Sequence, residues 1–566
     1  MNVRIVALIS GVFFIVLATL IQGVLPALVP ESNQIRVSKV VRTNLGELKW
    51  VISDATDYTD EQARGRAVYI REGCSYCHSQ FVRPVTGETR RWGPVSQAGE
   101  YAFDLPHLFS TRRIGPDLAR VGLKYSNGWH LAHFWNPRML SPDSIMPRFS
   151  GLFEKVPEKV SIVSDDAGLR TLEKTNATES LFDFSSAEKS LLTPNEDGLL
   201  FVKKKGTYPV VFTPNDEFKG NSVELISSTD DLTDLISYIQ KLGINRGKWR
   251  DLFEPQQLDA TDISMPKSEE WIDYGKEVYR RRCVGCHGAA GDGNGPAATF
   301  FDVRPRNFTK AIFKFRQTEI DSLPTDGDLL RTITRGLRGS AMPTFHAVPL
   351  KDRMAVIQYI KYQLTVDRYD PEEPYAFFEE EPAEEPMYIG TPPEPSEDLV
   401  EEGREVWLEA KCFECHGDTG EGNGIKSGDL KDDFGYPIKP ANLKMGLFKS
   451  GSHARDIYRT VTVGLAGTPM PVFGKKFDDD QRWALAYYVL SLSAYSDVLS
   501  GESLPISPEV RAVLDDPETR ASSVTHAYGG KVASYSIAEE TKFAGEAWAD
   551  KHGIEDANET NSEEDE

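Results

Sequence analysis

Residues 69–78 read YIREGCSYCH and end in the motif Cys74-Ser75-Tyr76-Cys77-His78. The same Cys-x-x-Cys-His pattern returns at 283–287 and again at 412–416. The three copies use all 6 cysteines of the 566-residue chain. No cysteine therefore remains for a disulfide framework or for a nucleophilic thiol.

This pattern is the attachment signature of a c-type haem. Two thiols on one short turn reach the two vinyl groups of a porphyrin, and the next residue presents an imidazole to the iron. A cysteine pair is also half of a structural zinc site, but such a site needs four ligands and the three pairs lie far apart. A thioredoxin-like redox pair would need a βαβ context, which the sequence lacks. We expect three covalently bound haems, held by Cys74, Cys77, His78, Cys283, Cys286, His287, Cys412, Cys415 and His416.

The motifs are embedded in a longer repeat. Gly-x-x-x-aromatic precedes each motif, Met-Pro-x-Phe follows it, and an apolar segment with helical periodicity comes last. The repeat predicts a helix, the cysteine motif, a long loop, Met-Pro and a second helix. The predicted helices lie in 62–73, 232–243, 273–282, 352–364, 401–410 and 480–492.

The repeated methionines Met146, Met342 and Met470 are the predicted sixth iron ligands. Histidine–methionine ligation raises a haem potential and fills the iron, so we expect electron transfer and no catalytic site on this chain. Rival ligands are Met139, His130, His133, His346, Met445 and His453.

The imidazoles also need a hydrogen-bond acceptor for their other ring nitrogen. The candidates are carbonyl groups of the loops at Pro116, Pro305 and Pro440.

Residues 5–30 contain no charge and are long enough to cross a bilayer. A signal-peptide core is shorter and ends in a small-residue cleavage site, which is not evident here. The sequence therefore predicts an uncleaved single-pass anchor. Arg4 favours an N-terminus on the inner side, with the remainder of the chain in the periplasm of a bacterial inner membrane.

The expected fold is mainly α, with the anchor followed by three class I cytochrome c domains and a small β-rich insertion in the first. Short strands are expected at 160–164, 198–212 and 222–227, with a turn at Lys205-Gly206. An acidic, proline-rich stretch reads as a solvated linker, and the C-terminus reads as an acidic tail. The predicted divisions are 1–32 anchor, 33–252 first domain with insertion 151–227, 253–369 second domain, 370–402 linker, 403–499 third domain and 500–566 tail.

The chain carries a formal net charge of -22. A nucleic-acid-binding protein needs a basic surface, so this class is excluded. An acidic surface steers basic partners, which suits a soluble cytochrome c or a quinol-oxidising complex as electron donor.

The sequence around the first motif contains longer stretches that are more specific than the motif itself. YIREGCSYCHSQFVR (69–83), ETRRWGP (88–94), the segment 98–138 and SIMPRF (144–149) strongly resemble the mono-haem subunit II of cbb3-type cytochrome c oxidases. The resemblance covers about 1–150 and 230–250. It implies a membrane complex in which the first haem domain passes electrons to an integral haem–copper subunit. Docking is expected around Trp92, His107, Trp129 and His130.

The chain departs from that family by its insertion and by two further haem domains, which resemble class I cytochromes at GDGNGPA (291–297) and RGLRGSAMPTF (335–345). We interpret it as a fusion of two electron-input functions. Three alternatives remain open: an input subunit of a nitric oxide reductase, a free-standing anchored carrier for periplasmic reductases, and a di-haem peroxidase with one open iron.

Overall fold

The computed structural model describes residues 2–28, 35–85, 88–164, 170–174, 199–201, 210–212, 222–253, 265–301, 303–320, 322–368, 374–381, 385–435 and 438–494. The fold is mainly helical, as predicted, with three helical units behind an N-terminal helix. We call residues 35–253 the first unit, 265–381 the second unit and 385–494 the third unit. The predicted tail at 500–566 lies outside the described ranges.

The N-terminal helix is long and apolar. Helix α1 (Val3–Thr19) continues through a π-helical turn (Leu20–Val24) into α2 (Leu25–Leu28). The 22 residues Val3–Val24 have a mean hydropathy of 2.5, and none of the segment is buried against the protein. By length and composition this helix can cross a membrane, a test that an N-terminal signal sequence also passes. The segment therefore supports a membrane anchor.

The first unit begins with a hairpin that the sequence did not predict. Strand β1 (Arg36–Arg42) pairs antiparallel with β2 (Leu48–Asp54), and Val37, Val40 and Val41 are buried. The helices that follow are α3 (Asp60–Arg71), α4 (Glu88–Trp92), α5 (Asn127–Trp135), α6 (Asp230–Lys241) and α7 (Trp249–Phe253).

The predicted β-rich insertion is confirmed. It forms an antiparallel sheet between α5 and α6, and its strand order runs β4-β3-β7-β6-β5. The predicted turn at Lys205-Gly206 lies outside the described residues. The strands are β3 (Phe153–Ser164), β4 (Arg170–Lys174), β5 (Leu199–Phe201), β6 (Val210–Phe212) and β7 (Ser222–Ser228).

The second and third units repeat one helical plan. The second contains α8 (Glu269–Arg282), α9 (Val284–His287), α10 (Asp326–Arg335), α11 (Leu350–Tyr359), β8 (Val366–Asp367), β9 (Tyr375–Ala376) and α12 (Phe377–Glu380). The third contains α13 (Glu397–Glu409), α14 (Phe413–His416), α15 (Ala454–Val463) and α16 (Asp479–Ser491). The sequence prediction took the segments that form α10 and α15 as parts of a long loop.

In each unit the helix before the cysteine motif crosses the helix after Met-Pro-x-Phe at the repeated glycine. A Cβ built on Gly65 of α3 would lie 1.9 Å from the Asp234 carbonyl oxygen of α6. The corresponding distance is 2.0 Å at both other crossings, from Gly275 to Ala355 and from Gly403 to Ala484. Real Cβ atoms do not approach this closely, so only glycine permits the crossing. The repeat in the sequence is therefore a packing requirement.

The repeated aromatic residue, one turn after each glycine, fills the space beside the crossing. Each is buried against a tyrosine of the helix that crosses at that glycine. Such tilted and edge-to-face aromatic pairs add to the stabilisation from burial. The ring centroids are 5.4 Å apart for Tyr69 and Tyr238, 5.3 Å for Tyr279 and Tyr359, and 5.7 Å for Trp407 and Tyr488.

All three units meet at one buried ion pair, that of Arg42 and Asp251. Asp251 of α7 accepts from Arg42 of β1 at 2.9 Å, and it also pairs with Arg338 of the second unit. The same Arg42 guanidinium donates to the carbonyl oxygen of Ser452 in the third unit at 3.1 Å. Removing one member of a buried ion pair leaves an unpaired charge, so this junction fixes the units to one another.

The acidic stretch 370–402 differs from the predicted solvated linker. In its described parts, Phe378 packs into the core of the second unit and Ile389 into that of the third. The Met387 N–H donates to the Gln317 carbonyl oxygen at 2.9 Å, and the Tyr487 hydroxyl donates to the Pro393 carbonyl oxygen at 2.7 Å. Isolated apolar residues in an acidic stretch anchor it across both units.

The helix crossing predicts that alanine in place of the repeated glycine destabilises the chain, whereas helix propensity alone predicts stabilisation. Alanine in place of glycine inside a helix gains about 1 kcal/mol by propensity, whereas overpacking costs about 1–3 kcal/mol. We expect Gly403→Ala to lower the thermal unfolding temperature of the full chain. The matched control is Gly428→Ala, because a Cβ there meets nothing within 4 Å. A Gly403→Ala chain as stable as this control would contradict the packing argument.

Candidate haem-binding sites

Each cysteine motif forms one tight turn at the end of a long helix. The turn is a 3-10 helix in the first unit (Cys74–Tyr76) and a single α-turn in the others. The histidine N–H donates to the carbonyl oxygen of the first cysteine at 3.0 Å in the first and second units and at 2.9 Å in the third. The turn places two thiols and one imidazole together, as covalent haem attachment requires.

The six thiols are half-buried. Burial raises the pKa of Cys74, Cys283, Cys286 and Cys412 to about 12. A reactive redox pair needs the opposite shift, since its thiolate is the nucleophile. Within the described ranges, no group of three or more His, Cys, Asp or Glu side chains is arranged to hold a metal ion.

The three imidazoles are held in the same orientation. Burial lowers the pKa of all three, to about 4 for His287, so the rings are neutral at pH 7. A backbone carbonyl only accepts a hydrogen bond, so Nδ1 carries the proton and Nε2 keeps the lone pair that a metal needs. The Nδ1–oxygen distances are 2.8 Å from His78 to Pro116, 3.0 Å from His287 to Arg306 and 3.2 Å from His416 to Ala441.

Pro116 is the acceptor that the sequence suggested, but in the other two units the acceptor differs by one residue. Arg306 takes the place of Pro305, and Ala441 takes the place of Pro440. The carbonyl groups of these prolines instead face the glycine-rich segment after each histidine. A Cβ on Gly293 would lie 2.6 Å from the Pro305 oxygen, and one on Gly422 would lie 2.7 Å from the Pro440 oxygen.

The three methionine loops share two backbone contacts. Each methionine N–H donates to a hydroxyl two residues earlier: Met146 to Ser144 at 3.3 Å, Met342 to Ser340 at 3.1 Å and Met470 to Thr468 at 3.2 Å. The phenylalanine of each Met-Pro-x-Phe is tied to the helix that precedes the loop. Its N–H donates from Phe149 to Phe134 at 2.9 Å, from Phe345 to Ile333 at 3.2 Å and from Phe473 to Val461 at 3.1 Å.

Most rival ligands have other roles. Met139 and His130 are buried in the core of the first unit. His453 caps the start of α15, and His346 bonds to the Thr344 hydroxyl at 2.8 Å. Met445 is exposed to solvent.

His133 remains a rival ligand of the first unit. Burial and, to a smaller extent, the nearby His78 lower its pKa to about 3. Its ring stacks on Trp129, with centroids 4.6 Å apart.

The second motif lies directly against the first unit. A Cβ on Gly285, between the two cysteines, would lie 1.9 Å from the Met139 carbonyl oxygen. Cys286 packs on the core of the first unit, which also includes Phe300 and Phe301 of the second. This arrangement differs from the docking prediction for Trp129 and His130, because α5 carries His130 inward and faces the second unit. His107, also predicted at this surface, is exposed.

Several residues of the sites were missed from the sequence. The hydroxyls before each Met-Pro recur in all three repeats, so their spacing was a usable signal. For Gly115, no repeated pattern in the sequence indicated a role in the site. A Cβ there would lie 2.2 Å from Cε1 of His78.

Fold and sites together define c-type cytochrome domains, which imply covalently bound haem c. The donors fit the group: two thiols on a turn, a neutral imidazole with Nε2 available, and a thioether loop tied to a neighbouring helix.

Comparison with known proteins agrees with the assignment of c-type cytochrome domains. Residues 4–245 match the family model described as cytochrome c oxidase, mono-heme subunit/FixO. Residues 271–360 match cytochrome c oxidase, cbb3-type, subunit III, and residues 400–493 match cytochrome c. The predicted resemblance to a cbb3-type mono-haem subunit fused to cytochrome c domains is confirmed.

Individual relatives resemble part of the chain. A cbb3-type cytochrome c oxidase subunit CcoP of Azospirillum sp. (strain B510) is 31% identical over 221 residues, and that of Azospirillum brasilense is 27% identical over 220 residues. Each match covers 38% of this chain and 61% of the relative. Among solved structures, the Kuenenia stuttgartiensis reducing HAO-like protein complex Kustc0457/Kustc0458 matches with 38% identity, a TM-score of 0.37, and coverage of 41% of this chain and 99% of that chain.

The place of Gly115 against the imidazole is testable. In Gly115→Ala the new methyl group should displace the His78 ring and lower covalent haem incorporation in the first unit. Intact-mass measurement of the purified chain counts the haems. Gly151→Ala is the control, because a Cβ there meets nothing within 4 Å. Equal haem content in both variants would show that the glycine is not needed for the site.

Proposed function

We propose that this chain is the membrane-anchored electron-transfer subunit of a cbb3-type haem–copper oxidase and that it carries three c-type haems. The observation that supports it most is the threefold repetition of one site, in which a Cys-x-x-Cys-His turn presents an imidazole whose Nδ1 bonds to a backbone carbonyl. The family-model matches along the chain supply the class of complex.

A bound c-type haem supplies reversible one-electron chemistry at its iron. The chain's own residues hold and orient this group. The cysteines bind it covalently, the carbonyl acceptors fix the imidazoles, and Met146, Met342 and Met470 are the proposed sixth ligands. Methionine at that position favours a higher potential, as a carrier near the oxidising end of a respiratory chain requires.

The proposed placement follows from the anchor. With Arg4 on the inner side, the three units lie in the periplasm of a bacterial inner membrane. Haem attached through thioethers is retained there even in a small domain. The contact of Gly285 and Cys286 with the first unit supports electron exchange between the second and first units.

The catalytic partner is proposed to dock at the first motif. Tyr76, between the two cysteines, is 72% exposed, and Ile145, next to Met146, is 75% exposed. Ile114 precedes the loop that holds His78 and is also exposed. Large apolar side chains beside both proposed ligands suit burial in an interface. They take the place of the docking residues that the sequence suggested on α5.

The proposed electron donor is a basic soluble cytochrome c or a quinol-oxidising complex. The net charge of -22 attracts a basic partner over about a Debye length, roughly 10 Å at 0.1 M salt.

Replacing the proposed methionine ligands should open one iron at a time. We expect Met146→Ala, Met342→Ala and Met470→Ala each to produce one haem that binds carbon monoxide and loses the methionine-ligation absorption band. Met445→Ala is the matched control, since this methionine is exposed. In the first unit, His133→Ala separates the two candidates. An opened iron in that variant, with Met146→Ala unchanged, would assign His133 as the ligand.

Purification of the full chain in mild detergent tests the function. We expect an integral subunit with b haem, copper and a carbon monoxide-reactive site to copurify, and a mass corresponding to three haems on this chain. Copurification of b haem with non-haem iron would indicate a nitric oxide reductase instead. A chain that purifies alone with low-spin haem would favour a free-standing carrier, and one that binds carbon monoxide by itself would favour a peroxidase.

A further inference from the structure

A small cavity with a concentrated positive charge lies where the second and third units meet. The residues around it include six cations and no acidic residue, in a chain with a net charge of -22. The cationic residues are Lys314, Arg316, Arg331 and Arg335 from the second unit, and Lys449 and Arg459 from the third.

The two lysines occupy equivalent places in the repeat. Lys314 follows the buried Phe313, and Lys449 follows the buried Phe448. In the sequence, each lysine follows the residue whose carbonyl binds the histidine and precedes the helix that leads to the methionine loop. Both units therefore contribute the same cation to one cavity.

The arginines of the cavity are already engaged. Arg331 pairs with Asp328, while Arg335 and Arg459 share Asp456 at 2.8 and 2.9 Å. Arg316 donates to the backbone carbonyls of Glu319 and Phe313. Each guanidinium therefore already has a partner.

The two lysines of the cavity differ from the arginines in their contacts. In the part of the chain that the structure describes, neither Lys314 nor Lys449 makes a hydrogen bond or an ion pair. Burial lowers the pKa of both. For Lys314 the nearby Arg306 and then Lys449 lower it further, to about 7. Asp432 opposes this shift for Lys314 without pairing with it. A partly buried ammonium that has no paired anion is costly, so an anion bound there would be stabilised.

The cavity reaches both methionine loops. Its wall includes Leu337, whose N–H donates to the Met342 carbonyl oxygen at 3.1 Å. It also includes Leu465, whose N–H donates to the Met470 carbonyl oxygen at 3.3 Å. The cavity is thus adjacent to the ligand loop of each unit.

We propose that Lys314 and Lys449 form a shared carboxylate-binding site for the propionate groups of the haems of the second and third units. The inference rests on the proposed haem function. One site with two lysines brings carboxylates of both haems into contact with the same cations, and this couples the reduction equilibria of the two haems. The same chemistry would also accept a free phosphate.

Redox titration of the full chain tests this proposal. A nearby cation favours the reduced haem, so its loss lowers the potential. We expect Lys314→Gln and Lys449→Gln each to lower two of the three potentials, by about tenfold in the reduction equilibrium, or about 59 mV for one electron. Lys314→Arg should restore them. The control Lys475→Gln changes an exposed lysine of the third unit, whose nearest carboxylate is Glu319 at 3.7 Å, and should shift none.

A parallel titration with inorganic phosphate at constant ionic strength distinguishes the two anion sources. Wild-type potentials that do not respond to phosphate support the haem carboxylates. A phosphate-dependent shift that Lys314→Gln abolishes would overturn them in favour of a free anion. Variants that match Lys475→Gln, or that shift only one potential, would overturn the shared site. Intact-mass haem counts show whether a failure lies instead in the haem assignment.

Discussion

The close contact of a glycine with a helix backbone is the constraint on which the rest of the molecule depends. It lets the helix before the cysteine motif and the helix after Met-Pro-x-Phe cross without a side chain between them. The helix before the motif ends where the cysteine turn begins, so the crossing also fixes the turn relative to the later helix. Three copies of one packing constraint therefore produce three copies of one site.

The units are joined by buried polar contacts as well as by the chain. Asp251 links Arg42 and Arg338, and the Arg42 guanidinium reaches the Ser452 carbonyl oxygen. Such pairs gain little net stability, because desolvation offsets their attraction, but an incorrect arrangement would leave charges unpaired. The junction is thus better understood as a determinant of relative position, which the proposed electron exchange between units requires.

The sequence predicts the structural elements that recur in the three repeats and those that local sequence patterns determine. The helices that flank each motif follow from apolar periodicity and from the Gly-x-x-x-aromatic pattern. The hairpin at 36–54 did not, because its contacts come from distant segments: Gly46 packs on Leu490, and Val40 bonds to Lys248. The shift from Pro305 to Arg306 as acceptor has a similar cause, since the neighbouring glycine segment decides which carbonyl turns toward the ring.

Charge is divided between the surface and the interior of this chain. The acidic excess extends into the stretch 370–402, parts of which pack across the second and third units, while the cavity between those units has no acidic residue around it. Exposed charges act over long range and are screened by salt, so they influence encounter with a partner. Buried cations act at short range in a medium that screens them weakly, so they influence an equilibrium. For the proposed electron-transfer function, this division assigns the encounter with a basic donor to the surface charges and the redox equilibria of the proposed haems to the buried cations.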